Sequence, residues 1–423
     1  MSIPRSTDGS SEWEQAEAGR VLGGLLVLLA LLAGCAPAGT DAGDPAASGK
    51  PLTVAETPSA AQTEGGEFIS WREHRIDDEE LSGGVPLRGA DGLKMADLDG
   101  DGHLDIVSVH EDSDHVRLHF GSDSPGRWAS APNTGAQQPE GEPVPDTFPL
   151  EEVSLFRIDG NPLVNSSWTE TVLATVTVPM NSRPVDLDGD GDLDILAGSR
   201  SEARIFWLEN LLEEGQLAFE EHPIEVTGRT EPWRRGPRRL TGMNVEFADL
   251  NHDGRLDIVL QETPVLNVWL EQPGDPVVEP WTIHVIGDTA PDNPTGLALF
   301  DVDDDGDLDL WSGAYSSRPR DRDGEDKTAA SVSGRLGWFA NPGDPTGEWI
   351  RHDVSRRVRG MFDEFIVLDM DQDGDSDLVA TRGNSGHYDG VFWLEQVRTA
   401  APQRASFPAR ESESRHLPLP PGD

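Results

Sequence analysis

The sequence predicts an all-β fold, a β-propeller of four-stranded blades. Three observations carry this. A nine-residue acidic motif recurs five times, a Trp-centred motif follows four of its copies, and an aromatic residue three before a histidine returns at steady offsets. The composition agrees: 45 Gly, 32 Pro and 12 Trp in 423 residues suit many short strands joined by tight turns.

The acidic motif comes first because it carries chemistry. Its positions 1, 3, 5, 7 and 9 are Asp97, Asp99, Asp101, His103 and Asp105 in the first copy, and Asp186, Asp188, Asp190, Asp192 and Asp194 in the second. They are Asp249, Asn251, Asp253, Arg255 and Asp257 in the third, and Asp301, Asp303, Asp305, Asp307 and Asp309 in the fourth. In the fifth they are Asp369, Asp371, Asp373, Asp375 and Asp377, and position 6 is Gly in every copy. Alternate carboxylates along a tight loop can converge on one hard cation, the glycine permits the turn, and the position-7 carbonyl adds an oxygen. Calcium takes about six to eight oxygens at about 2.3–2.6 Å, and such a loop supplies most of them; magnesium keeps its waters and wants a stricter octahedron. Without a cation the carboxylates repel one another. About five Ca²⁺ ions are therefore expected.

An EF-hand begins in the same way but needs a bidentate Glu at position 12. Here that position holds Ser108, Ala197, Leu260, Ser312 and Ala380. The segments leaving the loops, such as Ile258-Val-Leu-Gln261, are short and apolar and read as buried strands. Each loop is thus expected between the first and second strands of a blade.

The third strand is marked by Phe206-Trp207-Leu-Glu209, Val268-Trp269-Leu-Glu271, Gly337-Trp338-Phe-Ala340 and Phe392-Trp393-Leu-Glu395, with a weaker counterpart at Val116-Arg-Leu-His-Phe120. The fourth is marked by Trp71 with His74, Phe219 with His222, Trp281 with His284 and Trp349 with His352; Trp168-Thr-Glu-Thr171 reads as its degraded copy. Trp207, Trp269 and Trp338 precede the next aromatic by 12, 12 and 11 residues. These Trp and His residues read as blade packing, not catalysis. A lone four-stranded unit leaves apolar faces uncovered, and radial stacking covers them.

With these motifs in view, the chain resembles the FG-GAP/VCBS family of calcium-binding propeller repeats, related to those of integrin alpha subunits. The resemblance spans about Phe68 to Val397. The Phe-Gly/Gly-Ala-Pro motif that names the family is nearly absent, with Phe120-Gly121 its closest trace. Five loops and five sets of strand motifs favour five blades, the strand around Trp71 closing the ring by joining the last blade. The first two loops start 89 residues apart, against 52 for the tightest pair, so a degenerate sixth blade within Gly121 to Ser167 is an alternative. Seven blades, common in the family, is another.

Outside the repeats, Val21 to Leu32 is an apolar run of twelve, too short to span a bilayer comfortably and suited to a signal-peptide core. It leads into Leu32-Ala33-Gly34-Cys35, which resembles a bacterial lipobox in which Cys35 takes the lipid; Cys35 is the chain's single cysteine. The expected organisation is a signal peptide over 1–34, a flexible Ala/Gly/Pro/Ser/Thr-rich tether over 35–67, the propeller over 68–397 and a Pro-rich tail over 398–423. Localisation is then the bacterial envelope, with membrane contact through the lipid alone. Ala36 after the cysteine favours, by the same resemblance, the outer membrane or cell surface.

Function classes narrow accordingly. A formal net charge of −45 opposes phosphate and excludes nucleic acid as a partner. One cysteine excludes a disulfide framework and a cysteine-based zinc site. No nucleophile–base pair or phosphate-binding glycine loop stands out, so a non-enzymatic surface protein recognising a protein or glycan is expected. The alternatives are a sugar-active enzyme with its site in the propeller channel, or a structural part of a cell-surface assembly. The inserts Gly121 to Ser167 and Ser316 to Val332 are candidate ligand loops, or surface decoration.

Overall fold

The computed structural model describes residues 51–131, 150–161, 164–211, 217–229, 238–316, 326–410 and 413–422. Five antiparallel sheets form a five-bladed propeller. Blade one comprises Ala90–Ala96, Asp105–His110, His115–Phe120 and Ala129–Ala131, and blade two Pro179–Val185, Asp194–Ser199, Arg204–Asn210 and Phe219–Pro223. Blade three comprises Arg239–Ala248, Asp257–Thr263, Leu266–Glu271 and Trp281–Asp288, and blade four Asn293–Phe300, Asp309–Tyr315, Gly334–Ala340 and Ile350–Arg357. Blade five joins Phe365–Leu368, Asp377–Arg382 and Gly390–Thr399 to Phe68–Asp78, which pairs antiparallel with the third strand from Phe68↔Thr399 to Asp78↔Gly390. The strand around Trp71 closes the ring as expected.

Alternation along the third strands of blades two to five builds the core. Ile205 and Trp207 face blade three and pack with Leu260, Val268 and Trp281, while Phe206 and Leu208 face the other way. Leu336 and Trp338 pack toward blade five beside Trp71 and Trp311, and Phe339 packs toward blade three beside Trp269. A further cluster, holding Ile76, Leu93, Ile106 and Trp393, joins blades five and one. Burying one Trp side chain fully contributes on the order of 3–5 kcal/mol, judged by its truncation cost.

Two details depart from the sequence expectations. The fourth strand of blade one is Ala129–Ala131, introduced by Trp128, and not the segment at Trp168. Leu118, which stands where other blades carry Trp, pairs with Ala131, which stands where they carry His. Trp168 instead opens the strand Trp168–Thr177, which forms a two-stranded hairpin with Leu150–Ile158. This hairpin packs Val153 and Val176 on Phe206 and Leu208 of blade two, so among the described residues the long insert holds a cover for one blade face and no sixth blade.

Ordered chain also extends beyond the expected ring bounds. Val54, Ala55 and Ala61 are buried, and Ser406–Phe407 pairs in parallel with Trp71 and Arg72. The Glu413 carboxylate enters the interior to meet Arg357 and Arg382, and the Leu417 N–H donates to the Arg356 carbonyl at 2.8 Å. These buried anchors hold segments whose Pro- and Ala-rich composition reads as linker.

Candidate metal centres

Each acidic loop joins the first strand of its blade to the second, so all five sit at the same end of their blades. The loops share one hydrogen-bond lattice. The position-1 carboxylate accepts the N–H of the position-6 glycine in every copy, at 2.9–3.2 Å. The position-5 carboxylate accepts the N–H of position 7 in every copy, at 2.8–3.2 Å. Position 6 has φ of +86 to +100°, which fixes glycine there. Position 4 is left-handed too, through Gly100 and Gly189 but also through His252, Asp304 and Gln372.

Position 9 has a role that spacing did not reveal. One oxygen of each position-9 Asp accepts the position-2 N–H at 2.8–3.0 Å. The other accepts the N–H just past the Trp-Leu-Glu motif, from Gly121, Asn210, Gln272, Asn341 or Gln396, at 2.8–3.0 Å. All five position-9 residues are buried. Each therefore ties its loop to the third strand while leaving lone pairs for an ion.

The donor set fits a hard cation. Carboxylate oxygens of Asp97, Asp99 and Asp101 lie within 4.8 Å of one another, as do those of Asp186, Asp188 and Asp190. So do those of Asp301, Asp303 and Asp309, and those of Asp369, Asp371 and Asp377. In loops four and five the Asp303 and Asp371 Oδ1 atoms are buried with no hydrogen-bond partner, as oxygens waiting for a cation would be. Burial pushes Asp309 up to about 8 and Asp377 up to about 7, against the pull of their backbone hydrogen bonds. Burial, with Asp305 and Asp301 alongside, pushes Asp303 up to about 6. A divalent ion would reverse each of these shifts.

Loop three is different. Asn251 replaces a carboxylate, its Nδ2 donating to Asp253 Oδ2 at 3.3 Å, and the Arg255 guanidinium pairs with the same Asp253. Position 7 also varies in role. His103, Asp192, Arg255 and Asp307 are partly exposed, whereas Asp375 is buried 3.4 Å from Arg398, which reaches across to Asp304 of loop four.

The Trp and His motifs pack as expected, with an added partner. His74 lies on Trp393, His222 on Trp207, His284 on Trp269 and His352 on Trp338, with ring centroids 4.2–5.1 Å apart. The Nε2 atoms of His74, His222 and His284 meet Glu395, Glu209 and Glu271 at 2.6–2.9 Å. Blade four has Ala340 at that place, and burial lowers the His352 pKa. These glutamates also border the loops: Asn251 Nδ2 donates to Glu271 Oε1 at 3.4 Å, and Glu209 and Glu395 help raise Asp188 and Asp371. Their place two residues after Trp in three of the blades is the signal in the sequence.

One cluster has the composition of a hydrolytic triad. Ser108 Oγ lies 2.9 Å from His119 Nε2, and His119 Nδ1 lies 3.5 Å from Asp77 Oδ2. Ser108 and His119 are fully buried, and burial lowers His119 to about 3, which makes the imidazole a weak base. The cluster instead joins blade one to the closing strand. Cys35 and the apolar run before it lie outside the described residues.

Residues 186–260 match the FG-GAP-like repeat family model, from loop two into the second strand of blade three. This match and the five blades agree with the resemblance read from the loops. No curated protein matches the sequence. Among solved structures, an Agrocybe aegerita lectin, described as recognising non-reducing terminal N-acetylglucosamine, is similar at 14% identity. The alignment covers 76% of this chain and 82% of the lectin with a TM-score of 0.24, which bears on neither ligand nor mechanism.

Proposed function

We propose that this propeller is a calcium-stabilised, non-enzymatic recognition module, held at the bacterial cell surface by a lipid on Cys35, that binds a protein or glycan ligand. The observation that supports calcium is the repeated loop lattice: the same hydrogen bonds shape all five loops, and in four of them the carboxylate oxygens converge within 4.8 Å. Calcium suits such oxygen-rich, flexible sites better than magnesium does. The lipid anchor rests on the apolar run and the single cysteine at its end. Recognition is assigned to the insert hairpin, whose outer side exposes Phe156, Ile158, Trp168 and Val172 while its inner side packs on blade two. Phe156 and Trp168 meet edge to face at 6.3 Å, and exposed aromatic pairs of this kind suit sugar faces or apolar side chains.

A thermal melt in calcium and in EGTA tests the first part. A site filled at about 100 times its dissociation constant adds about 2.7 kcal/mol when only the folded state binds. An unchanged melting temperature would remove the calcium reading. A glycan array probed with wild type and Trp168→Ala tests the second, and equal signals would move recognition off the hairpin. Cys35→Ser should leave unprocessed precursor; normal processing and membrane fractionation would refute lipidation.

A further inference from the structure

The acidic loops lie at one end of the blades. At the other end, where the first strands begin, the structure holds a cavity of about 550 Å³ lined by first-strand residues of blades one, two and three, by the second strand of blade one and by the approach to blade five. That size suits a small ligand. Leu93, Val107, Val109, Met180 and Met243 give it an apolar wall.

Its charges are unevenly compensated. Glu364 is paired with Lys94, and Glu246 lies 3.5 Å from Arg183. Asp91 and Asp363 have no cationic side chain among their described salt-bridge partners, and the Oδ1 of each is buried without a hydrogen-bond partner. Asp363 is only 9% exposed and lines the cavity. Glu111, at the exit of the second strand, brings a third carboxylate within hydrogen-bonding reach of Asp91. Burial, with Glu111 and Asp363 nearby, pushes Asp91 up to about 9.

We propose that this end of the channel binds an organic cation, a primary ammonium carried on an apolar chain. A metal ion fits less well, because the acidic groups that converge in threes within 4.8 Å are, among the described residues, all in the loops. An ammonium donates three separate hydrogen bonds and tolerates carboxylates spaced around it, while its chain covers the Met180, Met243 and Val109 wall. The protein's net charge of −45 raises the local concentration of such cations.

The proposal stands apart from the calcium reading, and its test is run with calcium saturating so that the loops are filled. Pentane-1,5-diamine is titrated calorimetrically into the protein beside pentane-1,5-diol, the neutral molecule of similar length. The diamine should bind at one site and the diol should not. Asp363→Asn and Asp91→Asn should each weaken the diamine at least tenfold. Met180→Lys, which places its own ammonium in the cavity, should abolish binding. Equal binding of diamine and diol by the wild type, or no binding of either, overturns the proposal without recourse to a variant. Unchanged diamine affinity in Asp363→Asn overturns it as well. Loss of one bound calcium in Asp91→Asn would assign the cavity to a metal and defeat the ammonium reading.

Discussion

His74 lies flat on Trp393, ring centroids 4.2 Å apart and planes 14° from parallel, and this stack joins chain before the first loop to the third strand of the last blade. The same stack occurs within one blade between Trp269 and His284, at 4.3 Å and 18°. Ring closure thus reuses the blade's own packing unit, with the fourth strand supplied from a distance. Trp71, on the same closing strand, is buried against Trp311 at 4.7 Å. Trp71→Ala should cost about 3–5 kcal/mol, the range for a buried aromatic. Urea unfolding at saturating calcium measures it; a loss under about 1 kcal/mol would mean that the closing strand does not hold the ring.

The paired hydrogen bonds of position 9 separate two roles that a ligand model merges. Asp194 accepts from Leu187 at 3.0 Å and from Asn210 at 2.8 Å, whereas Asp190 is exposed. Asp194→Ala should destabilise the protein even in EGTA, because each buried N–H left without a partner costs about 1–3 kcal/mol. Asp190→Ala should weaken calcium binding with little change in EGTA. Asp192→Ala, at partly exposed position 7, should stay within about 1 kcal/mol in both conditions. Denaturation of the three variants with and without calcium decides; an Asp194→Ala protein as stable as wild type in EGTA would refute the structural role.

These contrasts show where sequence reading stopped. The loops, the third strands and the closing strand at Trp71 were legible because each carries a side-chain motif at a steady offset. The short fourth strand of blade one was not. Leu118 and Ala131 replace the Trp and His that meet in four other blades, which left Trp128 without its usual companions and made Trp168 the better match. The tether at position 9 was invisible because its donors are backbone N–H groups, which no residue type announces. The buried placement of Glu413 was hidden by its Pro-rich surroundings, since its arginine partners lie 31 and 56 residues away in the chain.

Loop three should be the weakest calcium site. Arg255 already pairs with Asp253, and Asn251 removes one negative charge, so an incoming ion meets less charge and must displace a guanidinium. Calorimetry should resolve a weak class of one site beside a stronger class. Arg255→Ala should tighten the weak class about tenfold or less, equivalent to about 1.4 kcal/mol. If Arg255→Ala leaves every class unchanged, the arginine does not compete with the ion.

Acid should open the ring at Glu73. Burial alone would raise this carboxyl, but Arg357 at 2.6 Å and Arg382 at 2.7 Å outweigh it and hold Glu73 down at about 2. A carboxyl depressed in the folded state gives stability that is present above its unfolded value, about 4.3, and is lost as pH falls toward 2. The loop carboxylates have the opposite sign in EGTA: with Asp309 raised to about 8 and Asp377 to about 7, they favour the folded state more as pH falls from 8 toward 4. Stability in EGTA should therefore rise on mild acidification and drop below about pH 4.3. Glu73→Gln removes the titrating partner and leaves two arginines facing only Glu413, so it should cost about 3–5 kcal/mol near neutrality and flatten the drop between about pH 4.3 and 2. Urea midpoints measured across that window for both proteins decide, and an equally steep acid limb in Glu73→Gln would place the loss at other carboxylates.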